Sequence, residues 1–411
     1  MSIETRETPI RITTLVDAHS SASCTILHRR DWIFDINALC RSEGRAWRVA
    51  PASMPEGVTW SDLAATDELL VDAGVMEPKQ IQVFDVSTPH LIVPTSSLRS
   101  ARVVTMSSPV RPAESDTTPA EQISSAVTTF TSRRLRQRLD QTLEIPPLPL
   151  AAQKIIALKS NPNYSLADLV KVVETDPSIA AKVMAWACSA FYAADPAPRS
   201  LNDAIMRVLG FDLVMNIALG LALAGTLRLP AHQVNGVPPF WTEAVFTAAA
   251  MEALGRRQSN GRDQAGLHYL TGLLANFGTL ILGHVFPPQY EVLCRLQEAN
   301  PDVPIHELDH HVLTLSRELL AAEIFALWEL PAPTVAAVRH QNDRDYTGEH
   351  AEDVRLLQAS RVMLGYGHHG PGAIAALELE GIGIDEDDLT AVTSLLQDSR
   401  DSLEGLARAV A

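Results

Sequence analysis

The sequence predicts an α+β protein, with a small N-terminal α/β domain followed by an all-helical domain. Three observations predict it. Short β-prone runs cluster before residue 105, a stretch rich in Pro, Ser and Thr follows at 106–124, and from Ile145 onward helical periodicity recurs to the C-terminus. At roughly 150 residues per domain, a chain of 411 residues accommodates two or three domains. Hydrophobic residues make up 46% and charged residues 20%, a composition that fills a core and excludes a wholly disordered chain. The net charge of −16, from 33 basic and 49 acidic residues, repels phosphate and argues against a general nucleic-acid coat.

In the first part, residues 25–28, 80–84 and 90–93 are β-prone runs bounded by Pro, Asp or Ser. Residues 60–73 read as a helix, with Leu63, Leu69 and Leu70 partly on one side and Gly74 as its stop. The first domain is therefore expected over 1–105. Residues 106–124 have little to bury and read as a linker. The helical domain is expected over 125–411, and its first helix, 123–143, carries Arg133, Arg134, Arg136 and Arg138 on what reads as a solvated face.

Ser165 and Asp168 have capping-box spacing, with Asp in place of Glu or Gln, ahead of Leu166, Leu169, Val170 and Val173 on one face. Asp176-Pro177 supplies an N-cap and a Pro at the first helical position, which opens a helix with Ile179, Val183, Met184 and Ala187 inward. Ser200 caps a helix carrying Leu201, Ile205, Val208 and Leu209 that stops at Gly210. Helices are further expected at 241–254, 265–285, 290–298, 305–328, 333–340, 352–364 and 387–409. The helix–Gly–helix at Gly210 does not read as a DNA reader: residues 212–227 are apolar all round and offer no Arg, Lys or Gln to read base edges.

Cys24, Cys40, Cys188 and Cys294 form no metal-type spacing and no disulfide framework, which fits a reduced interior. Residues 1–10 lack the apolar core of a secretory signal, and the most apolar run, 213–227, is shorter than the roughly 20 residues a bilayer needs. A cytoplasmic location without membrane attachment is expected.

One motif carries metal-type chemistry. His306-Glu-Leu-Asp-His310 matches H-E-x-x-H, which on a helix sets two histidines on one face to chelate zinc, with Glu307 polarising a water. Pro301, Pro304 and Asp309 point instead to an exposed helix start. His310-His311 and His368-His369 are sequence neighbours, which diverge on a helix and cannot jointly hold an ion. No Gly-rich phosphate loop, nucleophile elbow or Cys/His pair is present.

A series of motifs runs in order through the helical part: Glu144-Ile-Pro-Pro-Leu-Pro149, Lys154-Ile-Ile-Ala-Leu158, Val173-Glu-Thr-Asp-Pro177, Ala187-Cys-Ser-Ala-Phe-Tyr192 and Ser200-Leu-Asn-Asp-Ala-Ile-Met-Arg-Val-Leu-Gly210. Phe240-Trp241, Gly272-Leu-Leu-Ala-Asn-Phe-Gly278, Leu327-Trp-Glu-Leu-Pro331 and Ala337-Val-Arg-His340 continue it. Over residues 143–364 the chain resembles the HDOD family, bacterial output domains related to metal-dependent HD phosphohydrolases. The resemblance implies a helical signalling domain that acts through a protein partner. In active HD relatives adjacent His and Asp ligands occupy the positions that here read Ala275 and Asn276, and a histidine follows the Trp where Thr242 and Glu243 stand. Ala275 has no ligand atom and Asn276 no charge, so the resemblance implies a non-catalytic protein without cofactor, and these four positions become a candidate small-molecule or nucleotide pocket. The alternatives are an HD-type phosphohydrolase and a zinc peptidase built on His306, Glu307 and His310. Cys188, where relatives carry Asn, is expected to be buried. The N-terminal part resembles the YbaK-like fold sometimes fused to HDOD domains, although its catalytic lysine motif has no counterpart here.

Overall fold

In the computed structural model, the described residues are 8–50, 69–109 and 148–411, except 77–79, 85–88, 99–100, 162, 193, 226, 228–232, 236, 259–263 and 367–378. They form two compact units. The first is drawn from within Met1–Asp116, His232–Val237 and Pro288–Thr314, and the second from the remainder.

The first unit is built on β1 (Thr8–Asp17), whose Ile10 and Ile12 face one side of a sheet and Leu15 the other. Beside it run β2 (Ser23–Arg29), β4 (Trp47–Val49), β5 (Leu69–Asp72), β6 (Gln80–Phe84), β7 (Pro89–Pro94) and β8 (Arg102–Val104), in the order β7-β6-β1-β2-β5-β8 with β4 on the far end of β1. β1 pairs antiparallel with β2 and β4 and parallel with β6, and β5 is parallel to both its neighbours. Both faces are covered: Ile10, Leu27, Leu69, Val71, Val75 and Leu98 pack on one, and Leu15, Ile26, Phe34, Ile36, Leu39, Trp47 and Leu70 on the other. Burial on both faces explains why 69–72 is a strand rather than the end of the helix expected over 60–73. All four residues are buried, so no polar alternation marks the strand in the sequence; residues 51–68 lie outside the described residues. β3 (Trp32–Phe34) pairs with β9 (Ser107–Pro109), so this part of the span read as a linker is ordered by pairing. The rest of that span, and the basic helix expected at 123–143, lie outside the described residues. Asp35 caps α1 (Ile36–Glu43) through the Ala38 N–H, and Gly44, at φ 64°, closes it.

The same unit takes in α10 (Pro287–Ala299), from Pro288 onward, and α11 (Ile305–Leu313). The fit between them and the sheet is polar and specific. The Asn300 side chain accepts from the Phe34 N–H at 2.7 Å and donates to the Phe34 carbonyl at 2.9 Å, as a neighbouring strand would. Asp302 receives both Arg11 and Arg30, and Ala299 is fully buried against the α1 side of the sheet. Burial pushes the Asp302 carboxyl up, but the two guanidiniums reverse this and hold it below the usual range.

The second unit is helical, with α2 (Leu150–Lys159), α3 (Leu166–Glu174), α4 (Pro177–Ala187), α5 (Leu201–Asp203, widening to a wider turn over Ala204–Leu209) and α6 (Phe211–Ala224). It continues with α7 (Phe240–Gly255), α8 (Ala265–Leu274), α9 (Phe277–Val285), α12 (Arg317–Leu327), α13 (Ala332–His340), α14 (Ala351–Met363), α15 (Glu386–Asp398) and α16 (Arg400–Val410). Each expected cap is present. Ser165 and Asp168 complete a capping box, Asp176 accepts from the N–H groups of Ser178 and Ile179, and Ser200 caps α5. Gly210, at φ 83° and ψ 165°, ends that helix, and the chain bends by 118° into α6, whose residues Leu213 to Ala224 are all buried.

Three long helices of the sequence reading are each two. The 265–285 stretch breaks at Ala275 and Asn276, and 305–328 breaks at Thr314, which stands at φ 62° ahead of the Ser316 cap. The 387–409 stretch breaks at Ser399. Among the described residues, Ala265–Val285 is the stretch long and apolar enough to cross a membrane, and its most apolar window is 89% buried. Cys188 is exposed and not buried as expected, because it caps the C-terminus of α4 where the side chain turns outward.

Candidate functional site

Helices α7 and α8 approach closely. A Cβ on Gly272 would stand 2.6 Å from the Ala248 Cα and 2.7 Å from the Thr247 carbonyl oxygen, so glycine is what permits this contact. The approach brings the break at Ala275–Asn276 to the start of α7. There the Asn276 side-chain amide donates to the Phe240 carbonyl at 3.2 Å, while its Oδ1 is buried without a hydrogen-bond partner. Trp241 is buried, Thr242 is half-buried, and Glu243 in the same turn lies 3.5 Å from Arg361 of α14. From the end of α13, Gln341 donates to the carbonyls of Ala275 and Val338, both at 3.0 Å, and its own Oε1 is buried without a partner. Gln358 of α14 donates to the carbonyls of His340 and Asp343, and its Oε1 is likewise unpartnered. Burial, helped by the negative charge of Glu243, pushes the Tyr366 phenol up to about 12. The four positions singled out in the sequence thus fall on two neighbouring turns. Arg361, Gln341 and Gln358 could not be foreseen, because nothing in their own segments marks them.

This donor set does not fit a divalent ion. Ala275 offers a methyl group, Asn276 a neutral amide oxygen without charge, and Glu243 faces a guanidinium.

A second polar cluster lies deeper. Glu252, 1% exposed, accepts from Arg256 at 2.6 and 2.9 Å and from the Tyr192 hydroxyl at 2.7 Å. Burial pushes its carboxyl up, against the pull of Arg256. His268, equally enclosed, sets Nε2 3.6 Å from Asp353, and its Nδ1 has no hydrogen-bond partner. A histidine inside the apolar run of α8 was the available signal for this cluster.

His306, Glu307 and His310 lie on α11 in the first unit and are half-buried, with His306 Nε2 3.7 Å from Glu307 Oε1. The expectation of an exposed helix start is corrected at Asp309, which is fully buried beside Leu308. Among the described residues, no group of three His, Cys, Asp or Glu side chains is placed to hold a metal ion.

The HDOD domain model matches residues 145–344, and the chain belongs to the HDOD family. A candidate signal transduction protein from Marinobacter aquaeolei matches 100% of this chain and 95% of its own, at 31% identity and a TM-score of 0.82. An HDOD domain protein from Geobacter sulfurreducens shares the fold over 71% of this chain and 99% of its own, at 16% identity and a TM-score of 0.53. An uncharacterized protein of Treponema pallidum (strain Nichols) is 24% identical over 227 residues, 54% of this chain; the chain spans only 42% of that protein's length.

Proposed function

We propose that the protein is a non-catalytic regulatory component of a signalling pathway, located in the cytoplasm, whose HDOD domain acts by holding a partner protein. One observation carries this reading: the positions that serve metal chemistry in HD enzymes present no histidine and no free carboxylate here. Ala275 supplies no side-chain lone pair, Asn276 offers only a neutral amide oxygen while its N–H goes to the Phe240 carbonyl, and Glu243 faces Arg361. The likeness along the whole chain to a candidate signal transduction protein supports the same reading.

The test is elemental analysis of untagged protein, with phosphodiester, phosphomonoester and peptide substrates offered together with Mg²⁺, Mn²⁺ or Zn²⁺. The expected result is well under one metal ion per chain and no turnover. Stoichiometric metal or turnover lost in Asn276→Ala would establish a phosphohydrolase; zinc lost in His306→Ala would establish the peptidase-like site. Cross-linked co-purification from native lysate then identifies the partner.

A second reading, a sensor for a nucleotide or other small ligand, is favoured by the buried oxygens of Asn276, Gln341 and Gln358, which have no partner. A ligand that supplied donors to them would raise the midpoint of thermal unfolding, and a flat response across a nucleotide panel refutes this reading.

A further inference from the structure

The hairpin of α10 and α11 lies inside the span matched by the HDOD model, yet its residues Pro288–Thr314 belong to the compact unit of the N-terminal sheet. Two devices fix it there. Asn300 engages both the N–H and the carbonyl of Phe34, and Asp302 holds Arg11 and Arg30 together. Asn300 is 2% exposed, so water cannot replace its bonds to the strand.

Each end of the hairpin continues within a few residues into a helix of the second unit. Upstream, across Phe286, is α9, whose N-cap residue is Asn276. Downstream, across Thr314 to Ser316, is α12. Within the second unit these two helices touch without room to slide. A Cβ on Gly278 of α9 would collide with the Arg317 carbonyl of α12, and Arg317 Nη1 lies 3.3 Å from the Thr279 hydroxyl.

From this arrangement we infer that the sheet is the input module of the protein and the α10–α11 hairpin its lever. A partner or ligand that moves the sheet carries the hairpin with it, and both chain ends draw on the α9–α12 pair and hence on the Ala275–Asn276 break. A tight pair joined at both ends to one body transmits a displacement instead of absorbing it. This deepens the regulatory reading and rests on it, but its test needs neither catalysis nor a known partner.

Hydrogen exchange of the full chain, read by mass spectrometry, tests the coupling. In Asn300→Ala, peptides covering β3 and the hairpin should exchange faster, and so should those covering α9 and the first turn of α12, by about tenfold or more. Peptides from α3 and α16, which have no chain connection to the hairpin, should be unchanged. Arg102→Ala, which breaks the exposed pair with Glu43, serves as a sheet variant outside the clamp and should leave α9 at its parental rate. Should Asn300→Ala not fold, Asp302→Asn makes the same test more gently, by removing the charge that Arg11 and Arg30 share. Faster exchange confined to the sheet and hairpin overturns the inference, as does a uniform rise that includes α3 and α16, or parental exchange in the clamp variants. If untagged protein proves to be a metalloenzyme while α9 still responds, the lever stands and the non-catalytic reading falls.

Discussion

His28 is held neutral by its surroundings. The Arg29 carbonyl can only accept, so Nδ1 carries the proton that reaches it at 3.2 Å, and Nε2 then accepts from the Thr13 hydroxyl at 2.9 Å. Burial drives its pKa from 6.5 down to about 4, with Arg11 adding to the effect. Between those values an unfolded chain binds a proton that the native chain refuses. Stability of the first unit is therefore complete above about pH 6.5 and falls as pH drops toward 4, by about 3 kcal/mol at most. Urea midpoints followed across that window should show the fall, and His28→Gln should flatten it; an unchanged slope in the variant would refute the assignment. A smaller effect is expected at Asp176, where Asp176→Ala removes the acceptor for two helix N–H groups and should cost about 1 kcal/mol in equilibrium unfolding.

Helix packing sets the next scale. Because Gly272 meets backbone atoms of α7, no side-chain rotation can relieve an added methyl group, and Gly272→Ala should destabilise by about 1–3 kcal/mol through overpacking. Trp241→Ala should cost about 3–5 kcal/mol by emptying a buried position at the start of the same helix. Denaturant melts check both, and parental midpoints would mean that the α7–α8 contact is looser than drawn. Sequence legibility also divides by element. Helix starts were readable because Ser165, Asp176 and Ser200 carry the capping chemistry in their own side chains. The break at Ser399 was not, because no side-chain cap bond marks it; the one at Thr314 did carry such a signal, since Ser316 accepts from the Leu319 N–H. The strand β1 is legible in the alternation of Ile10 and Ile12 with Arg11 and Thr13, whereas β5 carries no such signal because burial on both faces removes the alternation.

For the molecule as a whole, the family and the α+β class were legible, since both reside in local motifs and their order, and Thr242, Glu243, Ala275 and Asn276 could be named as candidate positions. The partners of those positions were not legible: Arg361 lies 118 residues beyond Glu243, so only the folded chain brings the two together. The assignment of Pro288–Thr314 to the sheet unit was equally invisible, because the hairpin's own periodicity is that of any amphipathic helix pair.

That assignment bears on how such genes can be recombined. Chains built from independent modules tolerate cuts at their boundaries, since each fragment keeps its own interior. Here a cut at 116/117 leaves Ala299, Asn300 and Asp302 on the longer fragment, stripped of the β3, Arg11 and Arg30 groups they were folded against. The fragment would display as surface what is built as interior, a sticky apolar and polar scar. The N-terminal sheet is thus no cassette to be traded among output domains: it can be inherited only together with the hairpin coded nearly two hundred residues downstream.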